Sequence, residues 1–230
     1  MAGKTIYLGP THYGEFLDTN VKAVMDSEMY DLLVRFGLEN FSDRDAYFSN
    51  MLAVTFALIT NESDGSKGIL FTKRSDKVSI YPDAFCCWGG GVVEFNEDFF
   101  NLQESKVAER AIRNQLYAES VEELGLKPAH TEFKGIIKCL GGGLANFEVE
   151  YNLTAEQVMN KQTNAQDAWE SKKIILLKDA AAVLNFLENE PNIVPGGYAA
   201  ALYYPHGQGD SEAFEAALKI ASDNCAVSLQ

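Results

Sequence analysis

Basic residues are scarce in this 230-residue chain: 19 Lys and Arg stand against 33 Asp and Glu, for a formal net charge of −14. A field of that sign repels nucleic acid and offers no basic stripe to release its counterions, so no nucleic-acid partner is expected. Long apolar runs are also absent. The longest, NMLAVTFALIT, is far shorter than the roughly 20 residues a spanning helix needs, so no membrane partner is expected either. Cysteine is sparse: Cys86, Cys87, Cys139 and Cys225 include no CxxC pair, and the adjacent Cys86–Cys87 is a poor metal or disulfide framework. Reduced, mostly buried thiols are the expectation. His12, His130 and His206 lie too far apart to show ligand spacing. The opening MAGKTIYLGP has no basic segment followed by an apolar run, so no signal peptide is expected, and the location is read as cytoplasmic, with the nucleus as the alternative.

What the chain does have is enough apolar content, 47%, to bury a substantial core. It shows no internal repeat and reads as one globular unit, with residues 1–48 as an amino-terminal extension packed on a main domain over 49–230. Residues 20–36 place Val21, Val24, Met25, Leu32, Leu33 and Phe36 at helical spacing, with Asp18, Thr19 and Asn20 as cap candidates and Gly37 as the stop. Two β-branched runs flank NESDGSKG and predict a hairpin. Further strands are expected near AFCCW, EFKGIIKCL, ANFEVEYNL and SKKIILL. Helices are expected within 98–126, from the capping box Thr154–Gln157, over DAAAVLNFLENE and over SEAFEAALKIASDN, the last with Phe214, Ala217, Leu218 and Ala221 on one side. Strands and helices mix without strict alternation. That favours an α/β fold with a mixed β-sheet covered by helices.

The stretch YAESVEELGL puts Glu119, Glu122 and Glu123 within about 100° of helix arc. No basic residue lies between Arg113 and Lys127 to offset them. Like charges at this spacing cost a few tenths of a kcal/mol each. Two readings are open: a solvated acidic face, or a divalent-cation site in which hard oxygen ligands turn the repulsion into coordination.

Upstream, Gly91 is followed after five residues by Glu97, and the helix then carries E-x-x-E-E-x-G-L from Glu119 to Leu126. This resembles the Nudix box, G-x5-E-x7-R-E-U-x-E-E-x-G-U, with U aliphatic. The resemblance covers roughly residues 50–190, including LAVTFALITNESDGSKGILFTKRS before the box and AWESKKIILLKD after it. Thirteen extra residues, 98–110, interrupt the box; Ala118 stands where it has arginine and Ser120 where it has an aliphatic residue. The interruption, together with GPTHYGEFLDTN, FEVEYNLTAEQV and NIVPGGYAAALYY, is similar to the UDP-glucose pyrophosphatase branch.

The resemblance implies a Nudix-type α/β/α sandwich and a Mg²⁺-dependent hydrolase, Mn²⁺ being an alternative. The bond cleaved would be the pyrophosphate of a UDP-sugar such as UDP-glucose, giving UMP and a sugar 1-phosphate. ADP-ribose, a dinucleotide and a CoA ester are alternatives, as are a nucleotide-binding sensor without turnover and a purely structural metal-binding domain. By the same resemblance, Glu119, Glu122 and Glu123 hold metal with Glu97 and the Gly91 carbonyl, and Glu170 is the first candidate for the base, Glu119 the second. Arg74 and Lys73 are candidates for the substrate phosphate, or a charged hairpin end. Tyr13 and Asn20 are further substrate-binding candidates; helix capping for Thr19 and Asn20, and packing for Tyr13, Phe16 and Tyr81, are the competing readings. A homodimer is an open possibility.

Overall fold

Apolar, β-branched residues on both flanks of the 62–66 turn form the hairpin expected of them. The computed structural model describes residues 13–49, 51–93, 104–139, 142–207 and 209–227. β1 (Leu52–Asn61) and β2 (Lys67–Arg74) pair antiparallel, with Leu58 opposite Leu70 and Asn61 opposite Lys67. The Asp64 carboxylate closes the turn by accepting the Ser66 N–H at 2.9 Å, the local bond that makes Asp a turn former.

β2 is the hub of the sheet. Its residues Ile69 and Leu70 pair with β1 on one edge and with β7 (Ser171–Leu177) on the other. β3 (Phe85–Cys86), lying opposite Thr72 and Lys73, therefore shares the β1 edge. With β4 (Gly90–Val92) on β1, and β6 (Gly142–Glu150) and β5 (His130–Cys139) beyond it, the order is β3-β2-β1-β6-β5 in a seven-stranded mixed sheet. Among the described residues, five helices follow the hairpin: α4 (Glu104–Leu124), α5 (Ala155–Gln162), α6 (Ala180–Asn189), α7 (Pro195–Gly207) and α8 (Ser211–Val227). This is the mixed α/β class expected. Among the described residues no helix is long and apolar enough to cross a membrane.

The chain divides into two compact units. The first comprises Met1–Ala53, Val92–Gln115 and Lys138–Leu144; the second comprises Val54–Gly91, Leu116–Ile137 and Ala145–Gln230. The first thus takes in two later segments as well as the amino-terminal region.

In the first unit the helix boundaries differ from those expected. Helical backbone already runs from α1 (Tyr13–Phe16) through a π turn (Leu17–Val21) into α2 (Lys22–Met25), so Asp18, Thr19 and Asn20 lie inside it and cap nothing. The break comes at Asp26, whose extended backbone (φ −129°, ψ 99°) frees its carboxylate to accept the Glu28 and Met29 N–H groups, each at 3.1 Å. α3 (Ser27–Phe41) then passes straight through Gly37 and ends at Ser42, which takes the left-handed conformation (φ 55°). Gly37 serves packing rather than termination: a Cβ there would lie 2.3 Å from the Asp43 carbonyl oxygen.

In the second unit the core gathers Ile59, Ile69 and Phe71 from the hairpin with Val183, Leu187 and Tyr204 from the helices. Each side chain of that size contributes about 1.5–3 kcal/mol on burial. α6 begins where Asp179 accepts the Ala182 N–H at 2.7 Å, and α5 carries the Thr154–Gln157 capping box read from the sequence. No element is expected from the sequence over PGGYAAALYYPHG, which forms α7 although it carries helix breakers at both ends. Its Pro195 occupies the first helical position, where no N–H is needed, and Pro205 falls in the last turns. Tertiary burial of Tyr198, Ala201 and Tyr204 supplies what propensity lacks. On α8 the buried stripe is Ala213, Ala217 and Ala221; Leu218, expected on that side, is 40% exposed.

Gly37→Ala tests the packing role. Helix propensity alone favours Ala by about 1 kcal/mol. Overpacking against the Asp43 carbonyl reverses that sign, so a net destabilisation of about 1–3 kcal/mol is expected in chemical denaturation. A stabilised variant would contradict the close approach.

Candidate functional site

The site is built on the second half of α4. Leu116, Ser120 and Leu124, four residues apart, are fully buried and fix the rotation of the helix. Glu119 and Glu123 then fall on its adjoining flank, and both are half-buried. Gly125 ends the helix in the left-handed conformation (φ 66°), its N–H bonded to the Val121 carbonyl at 2.8 Å.

Glu123 reaches the glycine run. Its Oε1 accepts the Gly90 N–H at 3.1 Å. The run is pinned to β1 by Phe56 N–H to the Gly89 carbonyl at 3.1 Å, while the Thr55 hydroxyl donates to the same oxygen at 3.3 Å. Glycine is required here by contact: a Cβ on Gly89 would lie 2.7 Å from the Phe56 ring and 2.8 Å from Glu123 Oε1. On Gly90 it would lie 2.6 Å from the Val54 carbonyl oxygen.

Although Glu123 keeps part of its surface exposed, its carboxyl group is deep enough that lost solvation pushes its pKa up to about 8. Negative charge on Glu119 and, more weakly, Glu170 pushes the same way; the Gly90 N–H and Arg74 oppose it.

Glu170 comes to the site through backbone links. It closes a 3-10 turn (Ala168–Glu170) whose leading Asp167 donates its N–H to the Glu122 carbonyl at 2.9 Å. The Glu170 carbonyl accepts the Ser75 N–H at 2.6 Å, just past the end of β2. Its carboxyl pKa is also raised, by burial first and by Asp167 second, with Arg74 acting against.

The fold therefore brings together Glu119, Glu122, Glu123, Glu170, Arg74 and the Gly89–Gly91 backbone. Lys73 points elsewhere: its ammonium lies 5.6 Å from the centre of the Phe85 ring, which accounts for it as packing. Tyr13 and Asn20 belong to the other unit. Asn20 is buried (2% exposed), its Oδ1 accepting the Ser49 N–H at 2.9 Å and the Thr19 hydroxyl at 2.8 Å, a cross-brace within that unit. The Tyr13 side chain and all of Glu97 lie outside the described residues. Phe16 is buried as a packing residue, whereas Tyr81, read the same way, is 38% exposed at φ 51°. Sequence reasoning missed Gly90 as the direct partner of Glu123 and Asp167 as the anchor of Glu170. The glycine triplet was the available signal for the first; the second had none.

Among the described residues no three His, Cys, Asp or Glu side chains converge tightly enough to enclose a metal on their own. The donor set nonetheless fits a hard divalent ion such as Mg²⁺, which typically takes one or two carboxylates and completes its shell with water and phosphate. Glu119 and Glu123, one helical turn apart and mutually repelling, would be those two. A separate polar cavity of about 340 Å³ is lined by Lys67, His130, Glu132, Lys134, Glu148 and Glu150, among others. Both of its lysines are already paired, Lys134 with Glu132 (3.0 Å) and Glu148 (2.7 Å), and Lys67 with Glu150 (3.0 Å).

No family model matches the chain, and no curated protein does. Solved structures give fold-level likenesses. The Nudix hydrolase from Alicyclobacillus acidocaldarius is 10% identical, over 66% of this chain and 90% of that one, with a TM-score of 0.46. The protein DR0079 from Deinococcus radiodurans is 15% identical, over 65% and 80%, at 0.45. The Nudix domain of Shewanella oneidensis NrtR, solved with ADP ribose, is 16% identical, over 79% and 96%, at 0.41. Scores this low assign neither substrate nor residue.

The raised pKa of Glu123 makes a prediction for metal-free protein. A carboxyl with a folded-state pKa near 8 and an unfolded value near 4.5 keeps its proton in the native state while the unfolded chain has lost it. Stability therefore falls as pH rises from about 4.5 towards 8. In chelator, Glu123→Gln should be more stable than wild type at pH 8.5 and nearly equal at pH 4.5, read by urea denaturation. An equal gap at both pH values would contradict the assignment.

Proposed function

We propose that this protein is a Nudix-type, Mg²⁺-dependent hydrolase that cleaves the pyrophosphate bond of a nucleoside diphosphate joined to another group. The observation that carries this reading is the pairing of Glu119 with Glu123 beside a glycine backbone, in a recess that also holds Glu170 and Arg74. A UDP-sugar, UDP-glucose first, is the proposed substrate, and that choice rests on the sequence resemblance alone.

A pyrophosphate bond is kinetically inert because its charged oxygens repel a nucleophile. Bound Mg²⁺ offsets that charge and makes water at the site more acidic. The chain's own residues do the rest. Glu119 and Glu123 hold the cation, with Glu122 beside them. Gly89 and Gly90 keep the wall free of side chains where the phosphates approach. Arg74 adds a positive charge beside Glu123 and Glu170. Glu170 takes the proton from the attacking water. Its burial suits this role, because a carboxyl of raised pKa is the stronger base once ionised. Electrons flow from the water oxygen to phosphorus, and the P–O bond to the second phosphate breaks. The products are a nucleoside monophosphate and a phosphorylated second group.

The test is turnover of a panel of UDP-sugars, ADP-ribose, dinucleotides and CoA esters with Mg²⁺, and again with chelator. Turnover that rises towards alkaline pH and disappears with chelator is expected. Glu170→Gln should lower kcat by about 10²–10⁴-fold, the usual weight of a general base. Glu123→Gln should abolish turnover in a folded protein. Chelator-resistant hydrolysis would defeat the reading. Ala118 favours one rival, because an arginine is missing from α4 at that place. A nucleotide that raises the melting temperature without being cleaved would move the assignment to a sensor.

A further inference from the structure

We propose that Arg74 is a fixed cation of the acidic recess: a positioning residue whose charge acts on Glu123 and Glu170 at longer range than an ion pair and competes with the divalent ion for them. This rests on reading the recess as the metal-holding site.

α4 offers its carboxylates no cation of its own between Arg113 and Lys127, and strand geometry brings one from β2. Thr72 lies directly opposite Cys86, so their side chains share a face of the sheet, and Arg74, two residues on, shares it too. The Cys86 thiol donates to the Trp88 carbonyl at 3.3 Å; of the next two residues, Gly90 donates its N–H to Glu123, and a side chain on Gly89 would strike that carboxylate. On the other edge of β2, Arg74 pairs with Ser171, the neighbour of Glu170. Arg74 thus sits between the strand that leads to the glycine run bonded to Glu123 and the strand that follows Glu170.

Its charge is also held in direction. The Arg74 Nε–H donates to the Ile80 carbonyl at 3.2 Å, and its backbone N–H donates to the Ala84 carbonyl at 2.8 Å. The loop providing both acceptors is braced by Lys172, whose ammonium meets Asp76 and Asp83 at 3.0 Å each. Lys172 is the extra residue of a bulge where the β2–β7 register shifts between Lys73 and Arg74, a device that turns one side chain away from its neighbours. Besides the bond to Ile80, the guanidinium neighbours the Cys86 thiol, and its remaining N–H donors are available. Consistently, Arg74 lowers the pKa of both Glu123 and Glu170.

The test is calorimetric titration of Mg²⁺ alone, with no substrate, into wild type, Arg74→Gln and Arg74→Lys. Removing a nearby positive charge should tighten Mg²⁺ binding about tenfold in Arg74→Gln, while Arg74→Lys stays within about threefold of wild type. On substrate, Arg74→Gln should lose more in kcat than in KM. Unchanged or weaker Mg²⁺ binding in a folded Arg74→Gln would overturn the proposal, and so would a loss confined to KM, which marks a plain phosphate contact. If Arg74→Gln does not fold, Arg74→Lys carries the test: Mg²⁺ affinity changed by more than about tenfold with the charge retained would overturn it. Wild type that cleaves no pyrophosphate yet shows the expected Mg²⁺ titrations would refute the functional reading and leave this one standing.

Discussion

Glu123 is held in a position that a carboxylate would not choose. Burial and the neighbouring Glu119 both oppose its charge, yet Leu116, Ser120 and Leu124 lock the helix that points it there, and the Gly90 N–H donates to it at 3.1 Å. A surface helix with an acidic face turns such residues to water. Here the sheet edge, the glycine run and the 3-10 turn at Ala168–Glu170 all close on the same point. Most features of the site follow from that constraint: why Gly89 tolerates no side chain, why Glu170 is drawn in by backbone bonds, and why the end of β2 carries an arginine.

The sheet supplies the rigidity. β2 is paired on both edges, and its last residue, Arg74, is bonded to Ala84 just before β3 and paired with Ser171 of β7. The hairpin that precedes it and the core under α6, α7 and α8 are conventional apolar packing and carry no chemistry. Rigid scaffold and strained acidic corner are thus separate parts of one unit. That separation lets the corner keep an unfavourable charge without loss of the fold.

Much of this was legible in the residues. The hairpin, the capping box at Thr154 and the acidic flank of α4 follow from local chemistry, and the structure has each of them. What failed depended on distant contacts. Gly37 looks like a stop because glycine usually is one, but a carbonyl six residues on packs against it inside a continuing helix. α7 drew no expectation: Gly196, Gly197 and Pro205 weigh against a helix, and burial of its tyrosines and alanines outweighs them. At the site, the glutamate spacing was readable. The partnership of Glu123 with Gly90, the route that brings Glu170 there and the approach of Arg74 from another strand were not, since each joins segments far apart in sequence. Asn20, offered as a cap or a ligand contact, is instead a buried brace to Ser49.

The central claim is that the carboxylates of Glu119 and Glu123 are arranged to share a divalent cation. Anomalous diffraction from crystals soaked in Mn²⁺ tests it directly, because Mn²⁺ takes the same hard oxygen donors and scatters anomalously. The account predicts a peak within bonding distance of oxygens from both glutamates, close to the Gly89–Gly91 backbone. A map with that corner empty while Mn²⁺ occupies another site would contradict it.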